Sequence, residues 1–549
     1  MSDNSSPRSA RPASGLSRRQ VLGATALGAA ALGGTLAGAG QARASTVSAS
    51  ASASASVTEL RERAVVVGTG FGGGVTALRL ARAGVSTLVL ERGTRWPTGP
   101  NADTFSRFAT MDNRSAWLTD HPVVGGVDKT WTPYTGVLEA ITGDGMTAMC
   151  GAAVGGGSLA YHGMTLQPTK ANFAASMPLA AGLYDELNLV HYPTVARMLG
   201  ISTVPYDILA SDPYKSSRLF QDIAPQAGLT PFKVPLPIDW SYVRGELTGQ
   251  YAPTYTTSDI AFGVNNGGKH SIDVTYLAQA ESTGLARVAP LHIVRDLAMD
   301  ANKRWVLSVD RIDTSGAVQE KLRITADAVF LNAGSPGTTR LLVKSRAKNL
   351  IPDLPDAIGT QWGNNGDRIW AWVYPTGDAG TQQGGPACIG GTAPDSPIPL
   401  TVIHAGSPVQ TPGVTALTVV GFGFGVVDGA GTWAYDADTD DAVLTWPTDA
   451  DAELQQLIAA RMQAIATVGG GMMIDTNAGG ASTWHSLGGV PMGDAVDLTG
   501  RVLGHKGLYV LDGARIPGST GACNPSMTIA ALAEHSMQTI VRQDVGRAF

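Results

Sequence analysis

The chain has 549 residues, 44% of them apolar and only 15% charged, with 68 glycines and a formal charge of −6. That length supports a large core and two or three domains and excludes a short peptide module, while the acidic balance argues against nucleic-acid binding. Three cysteines, Cys150, Cys388 and Cys523, with no CxxC pair, write neither a disulfide framework nor a zinc site and are expected as buried free thiols.

The N-terminus reads as an address. Residues 1–16 are polar and contain arginine; Ser17-Arg18-Arg19-Gln20-Val21-Leu22 then opens an uncharged stretch to Gly40, closed by Ala42-Arg43-Ala44. This is the pattern of a twin-arginine signal peptide, residues 1–44, cleaved after Ala44, and it predicts a secreted protein. The competing reading is a membrane anchor, since twenty uncharged residues could just span a bilayer. The stretch is mostly Ala and Gly with four Leu and one Val, which makes a poor spanning helix. Cleavage removes five Arg and one Asp and leaves a body of charge −10. Twin-arginine export carries proteins that have already folded in the cytoplasm, so the body is expected to fold before it leaves. Residues 45–60 are expected as a Ser/Ala-rich linker, with the folded body starting near Glu59.

Ala64-Val65-Val66-Val67 is a continuous apolar run, as for a strand buried on both faces of a parallel sheet. It ends in Gly68-Thr69-Gly70-Phe71-Gly72-Gly73, and the spacing predicts a helix from there to Ala83, ended by Gly84. A second strand, Thr87 to Leu90, delivers Glu91, 23 residues after Gly68. In such a unit Gly68 permits the tight turn, Gly70 admits the pyrophosphate, Gly73 lets helix pack on strand, and the acid accepts from a ribose hydroxyl. A GxGxxG alone is weak in so glycine-rich a chain; the strand, loop, helix, strand and acid in order are what predict a dinucleotide site. Spacing does not separate FAD from NAD.

Four later segments do. Cys150-Gly151-Ala152-Ala153-Val154-Gly155-Gly156-Gly157-Ser158-Leu159, Phe330-Leu331-Asn332-Ala333-Gly334-Ser335, His485-Ser486-Leu487-Gly488-Gly489 and Gly507 to Gly513, the last followed by Ile516-Pro517-Gly518 and Asn524-Pro525, resemble in order the cofactor-contacting segments of the glucose-methanol-choline (GMC) oxidoreductases. Within that family the likeness is to the bacterial cholesterol oxidases with noncovalent FAD. It takes in Tyr134 to Leu138, Gly263 to Lys269 and Trp362-Gly363-Asn364-Asn365-Gly366, and thins over 170–260 and 370–430.

The resemblance implies an α/β fold of two domains. A discontinuous Rossmann-like FAD domain takes in 61–100, 265–362 and 498–549, and a substrate domain with an antiparallel sheet and helices takes in 101–264 and 363–497. It implies FAD held by Gly68, Gly70, Phe71, Gly72, Gly73 and Glu91, by Gly155, Gly156, Gly157, Ser158 and Met164, by Val294 and Gly334, and by Asp512, Gly513, Asn524 and Pro525.

Oxidising an alcohol removes a hydroxyl proton and a hydride, so the site needs a base and a group that orients the hydroxyl; histidine is the natural base. Of nine histidines, His485 matches the family's active-site position, and Asn524, carrying both donor and acceptor, matches the residue that holds the substrate oxygen. One residue is inserted before Asn524 relative to the usual Gly-x-Asn-Pro. The expected activity is oxidation of a sterol-type secondary alcohol to the ketone with O2 reduced to H2O2, with the small-molecule alcohol, oxygen, the twin-arginine machinery and a transient membrane surface as partners. The alternatives are another bulky alcohol, another electron acceptor, or an inert FAD-binding protein. Two departures bear on substrate. Ile403, beside His404, stands where cholesterol oxidases carry the glutamate of double-bond isomerisation, which makes that activity doubtful. Tyr161 and His162 stand where the family has Asn and Gly.

Overall fold

The computed structural model describes residues 57–124, 128–373, 378–408, 418–477 and 480–549. The twin-arginine segment, and the linker as far as residue 56, lie outside them. In chain order the elements that build the two main layers begin with β1 (Thr58–Val67), α1 (Phe71–Arg82) and β2 (Thr87–Leu90). A small pair, β3 (Leu138–Thr142) and β4 (Thr147–Gly151), precedes β5 (Thr230–Lys233), β6 (Ala286–Ala289), β7 (His292–Met299), β8 (Trp305–Ile312) and β9 (Val318–Leu331). Helix α2 (Gly334–Ala347) leads to β10 (Arg368–Val373), β11 (Ile389–Thr392), β12 (Leu400–Ala405) and β13 (Thr418–Gly425). The hairpin β14 (Thr432–Asp436) and β15 (Asp441–Thr445) is followed by α3 (Ala452–Gly469), β16 (Met472–Asp475), β17 (Ser482–Thr483), β18 (Leu508–Val510) and α4 (Ser526–Gln543).

The first layer is a seven-stranded sheet in the order β6-β2-β1-β9-β8-β7, with β18 also paired to β9. Strands β6, β2, β1, β9 and β18 run parallel, whereas β7 and β8 close the edge antiparallel. The long β9 gives one edge to β1 and divides the other, Val318–Ala326 pairing with β8 and Val329–Leu331 with β18. Ala64 to Val67 are buried on both faces, as the apolar run requires. Strand β1 starts six residues before that run, so the expected linker ends at residue 57 rather than 60: Thr58 and Leu60 pair in register with Leu322 and Ile324. Those first residues alternate between half-buried and exposed, a pattern that an apolar count overlooks.

The second layer is antiparallel throughout, in the order β16-β10-β13-β12-β11-β5. Its strands come from 230–233 and 368–475, and it has its own core, which α3 covers through Leu454, Ile458, Met462 and Ile465. β17 joins β4 and β3 in a separate three-stranded sheet. Of the thiols, Cys388 and Cys523 are buried and Cys150 half-buried. No helix among the described residues is long and apolar enough to cross a membrane.

Candidate active site

A cavity of about 730 Å³ runs from the carboxyl ends of β1, β2 and β9 to the face of the antiparallel sheet, within the several-hundred-Å³ range of small-molecule and cofactor sites. It lies where ligands settle in doubly wound sheets, beyond the strand ends. Of the residues expected to hold a cofactor, Gly68, Gly70, Phe71, Gly72, Glu91, Gly156, Gly157, Met164, Val294, Gly334, Asp512, Gly513, Asn524 and Pro525 line it, and so does His485. Gly73, Gly155 and Ser158 do not. Each braces the wall from behind: a Cβ on Gly73 would stand 2.1 Å from the Gly68 carbonyl oxygen, so it seats α1 on the loop. Gly155 donates its N–H to Thr69 Oγ1 (3.0 Å), and Ser158 Oγ donates to the Gly155 carbonyl (2.7 Å) while accepting from Ile272 N (3.0 Å).

The dinucleotide end is shaped by absent side chains. Gly68 turns at φ +97°, and a Cβ there would lie 2.2 Å from Asn332 O; one on Gly72 would lie 2.3 Å from Leu511 O. These two positions let β1, β9 and β18 end side by side. Gly70, Gly157 and Gly334 differ, since a Cβ on any of them meets no protein atom within 4 Å yet would stand in the cavity. Space is kept there for a ligand. Gly70 caps α1 with no side-chain hydrogen bond, and no acid lies in the helix's first turn, so its first N–H groups and partial positive charge are left for phosphate.

Glu91 closes this end. Its Oε2 accepts from Thr69 N (3.2 Å) and Thr69 Oγ1 (2.5 Å), and its Oε1 from Gly93 N (2.9 Å). Burial pushes its carboxyl above the usual range, against those hydrogen bonds. Three donors leave lone-pair capacity on the carboxylate for a ribose hydroxyl. Thr69, an unspecified position of the motif, ties acid, first loop and second loop together, and the sequence reading missed it. It missed Arg92 and Arg340 too: both line the cavity, and Glu139 lies between them, 2.5 Å from Arg92 and 3.8 Å from Arg340. Asp512 caps the turn after it by accepting from Ala514 N (2.9 Å) and accepts from Thr338 Oγ1 of α2 (2.6 Å); its burial raises the carboxyl pKa to about 6.

At the other end the floor is aromatic. Phe422 and Phe424, two apart on β13, line the cavity with Ile369 and Trp484. The His485 ring stands edge-on to Phe424, centroids 6.0 Å apart, and the His162 ring meets Phe422 at 5.1 Å. Burial pushes the His162 imidazole down to about 3, so it is neutral at physiological pH. Tyr161 packs edge-on to Phe71 at 5.5 Å, and Lys269 lies over its ring while donating to the carbonyls of Leu159 (2.7 Å) and Tyr161 (2.6 Å). Tyr161 and His162, where the chain departs from the family pattern, therefore both face the cavity.

His485 is held by Asp367, 118 residues away in sequence, whose Oδ1 lies 2.8 Å from Nδ1. Asp367 follows directly on the segment Trp362 to Gly366, but nothing local to it points to a histidine so distant. Gly488 and Gly489, in a segment that resembles a cofactor-contacting one, do not line the cavity. They turn at φ +75° and +97° where a Cβ would strike Gln361 O (2.0 Å) and Thr339 Oγ1 (2.2 Å), so they admit protein neighbours. Asn524 lines the cavity with its donors already engaged: Nδ2 donates to Met164 O (2.5 Å) and Ser526 Oγ (2.8 Å), and Oδ1 accepts from Leu166 N (3.0 Å). It can accept from a substrate hydroxyl through its remaining lone pair but has no free N–H to offer, against the expectation of a donor and an acceptor. Asn524→Asp would set a carboxylate oxygen against Met164 O. Thermal unfolding should show about 1–3 kcal/mol of destabilisation, the cost of an unsatisfied buried polar contact.

Ile403 pairs with Phe422 across β12 and β13, whereas His404 pairs with Gly421 and is buried on the opposite face, 5.7 Å from the Phe220 ring. Neither lines the cavity, so His404 does not stand in for the missing glutamate there.

Comparison with known proteins fits this site. Residues 440–533 match the GMC oxidoreductase C-terminal domain (GMC oxidoreductase), and residues 66–123 match an NAD(P)-binding Rossmann-like domain. The protein is an FAD-dependent oxidoreductase acting on an alcohol, built on the GMC oxidoreductase fold. It is similar to cholesterol oxidase of Mycobacterium tuberculosis, 25% identical over 86% of this chain and 90% of the relative, and to cholesterol oxidase of Acinetobacter baumannii, 25% identical over 87% and 94%. The crystal structure of pyridoxine 4-oxidase from Mesorbium loti shares the fold, with a TM-score of 0.61 at 16% identity over 87% of this chain and 99% of that one.

Proposed function

We propose that the protein oxidises a sterol-type or similarly bulky apolar secondary alcohol to the ketone, with O2 as the final acceptor and H2O2 as product, after export by the twin-arginine route. The observation that carries this reading is one cavity that joins the glycine-lined dinucleotide end to an aromatic floor bearing His485 and Asn524. FAD, when bound, supplies the hydride acceptor. The apolar floor of Phe422, Phe424 and Ile369 orders a rigid ring system by excluding water. Asn524 Oδ1 accepts from the hydroxyl in the approach complex, and His485 Nε2 takes the hydroxyl proton as the C–H bond opens. The relatives' names supply the sterol; the arginine pair at Arg18-Arg19 and the Ala42-Arg43-Ala44 site supply the export.

Double-bond isomerisation is not part of the proposal. Asp367, the carboxylate beside His485, accepts at Oδ2 from Thr483 Oγ1 (2.8 Å) and Trp484 N (3.0 Å), which leaves it committed to holding the site. The purified yellow protein given a 3β-hydroxysterol under air should release one peroxide per ketone formed and leave the ring double bond unconjugated. Ketone formed from no sterol, while another bulky alcohol releases peroxide, would move the reading to that alcohol. A conjugated enone product would contradict the account of Ile403 and His404.

A further inference from the structure

His485 is an imidazole with two unlike nitrogens, and catalysis by a base depends on which of them carries the proton. Among the described residues only Nδ1 has a protein partner, Asp367 Oδ1 at 2.8 Å. Asp367 is itself pinned. Its other oxygen accepts from the Trp484 backbone N–H at 3.0 Å, a group that can only donate, and from Thr483 Oγ1 at 2.8 Å. Thr483 Oγ1 also accepts from the backbone N–H of His485 at 3.0 Å, and the short strand β17 that carries Thr483 is fixed by its parallel pairing with β4. The Asp367 and His485 side chains are 9% and 17% exposed, so water competes little for either contact.

We propose that Asp367 is a positioning residue that sets the tautomer of His485: it holds the proton on Nδ1, and so presents an unprotonated Nε2 to the cavity. The inference rests on the reading of His485 as the base, and its consequence is specific. In Asp367→Asn the amide oxygen must turn to the obligate Trp484 donor, so the amide N–H₂ faces Nδ1. Nδ1 then has to accept, the proton moves to Nε2, and the nitrogen facing the substrate can no longer take one. Shape, volume and hydrogen-bond count are nearly kept while the tautomer is inverted, which is the effect of amide-for-carboxylate replacement beside a catalytic imidazole.

The test uses the FAD-loaded enzyme labelled with ¹⁵N-histidine, at a pH well above the usual imidazole pKa of about 6.5. His485 is assigned by the resonance that disappears in His485→Asn. The wild type should show His485 protonated at Nδ1, and Asp367→Asn should show it protonated at Nε2. With flavin content unchanged, the variant's kcat should fall by about 10²–10⁴ and its KM change little. An Nε2–H tautomer in the wild type overturns the proposal without need of the variant, as does an Nδ1–H tautomer kept in a folded Asp367→Asn. If His485→Asn keeps its turnover while the wild-type spectrum shows Nδ1–H, the assignment of the base fails and the tautomer control stands, so the two failures are distinguishable.

Discussion

Gly70→Val should give a soluble, folded protein with no yellow colour. The backbone at Gly70 has φ −69° and ψ −160°, which any L-residue adopts, and a Cβ there meets no protein atom within 4 Å. The new side chain projects into the dinucleotide end, where the uncapped N–H groups of α1 await phosphate. Loss of flavin with an unchanged melting temperature of the cofactor-free protein would locate the cofactor against this loop. Gly68→Ala provides the contrast. It forces φ +97° on an alanine and drives a methyl to 2.2 Å from Asn332 O, so it too loses flavin, but through destabilisation of about 1–3 kcal/mol from backbone strain alone, before the clash. Full flavin binding by Gly70→Val would overturn the placement of FAD.

His485→Asn should retain flavin and lose turnover by about 10²–10⁴, the usual contribution of a positioned base. His485 stands on the substrate side, edge-on to Phe424, and none of its contacts touches the glycine loops. Absorbance of the purified variant reports the first expectation, and stopped-flow reduction of its flavin by the alcohol reports the second. Unchanged reduction would remove His485 from the chemistry.

The dinucleotide unit was legible because its signals are local: an apolar run, a turn that only glycine can make, a helix, and an acid at the end of the next strand. Strand β1, α1, β2 and Glu91 stand where those signals put them, with the strand start displaced because Thr58 to Glu62 are held by pairing with β9, which no local pattern records. The ends of helices were harder. Helix α4, which follows Asn524-Pro525, runs from Ser526 to Gln543, as burial of Met537 and Ile540 against the first core carries it that far. Position in the motif does not tell Gly73, Gly155 and Ser158, which stand behind the cavity wall, from the residues that line it, since a glycine that admits a neighbouring backbone and one that admits a ligand look alike in sequence; Gly70 and Gly73 are separated only by what surrounds them. Asp367 was invisible for the opposite reason: its partner is 118 residues away, and chain distance carries no trace of that contact.

The central claim, that this cavity oxidises an alcohol through bound FAD, is tested most directly by mixing the yellow protein with a 3β-hydroxysterol in the absence of oxygen and recording the flavin absorbance. The flavin should bleach with one equivalent of ketone formed and regain its colour when air is admitted. A flavin that stays oxidised with the sterol, and with every other bulky secondary alcohol tried, would contradict it.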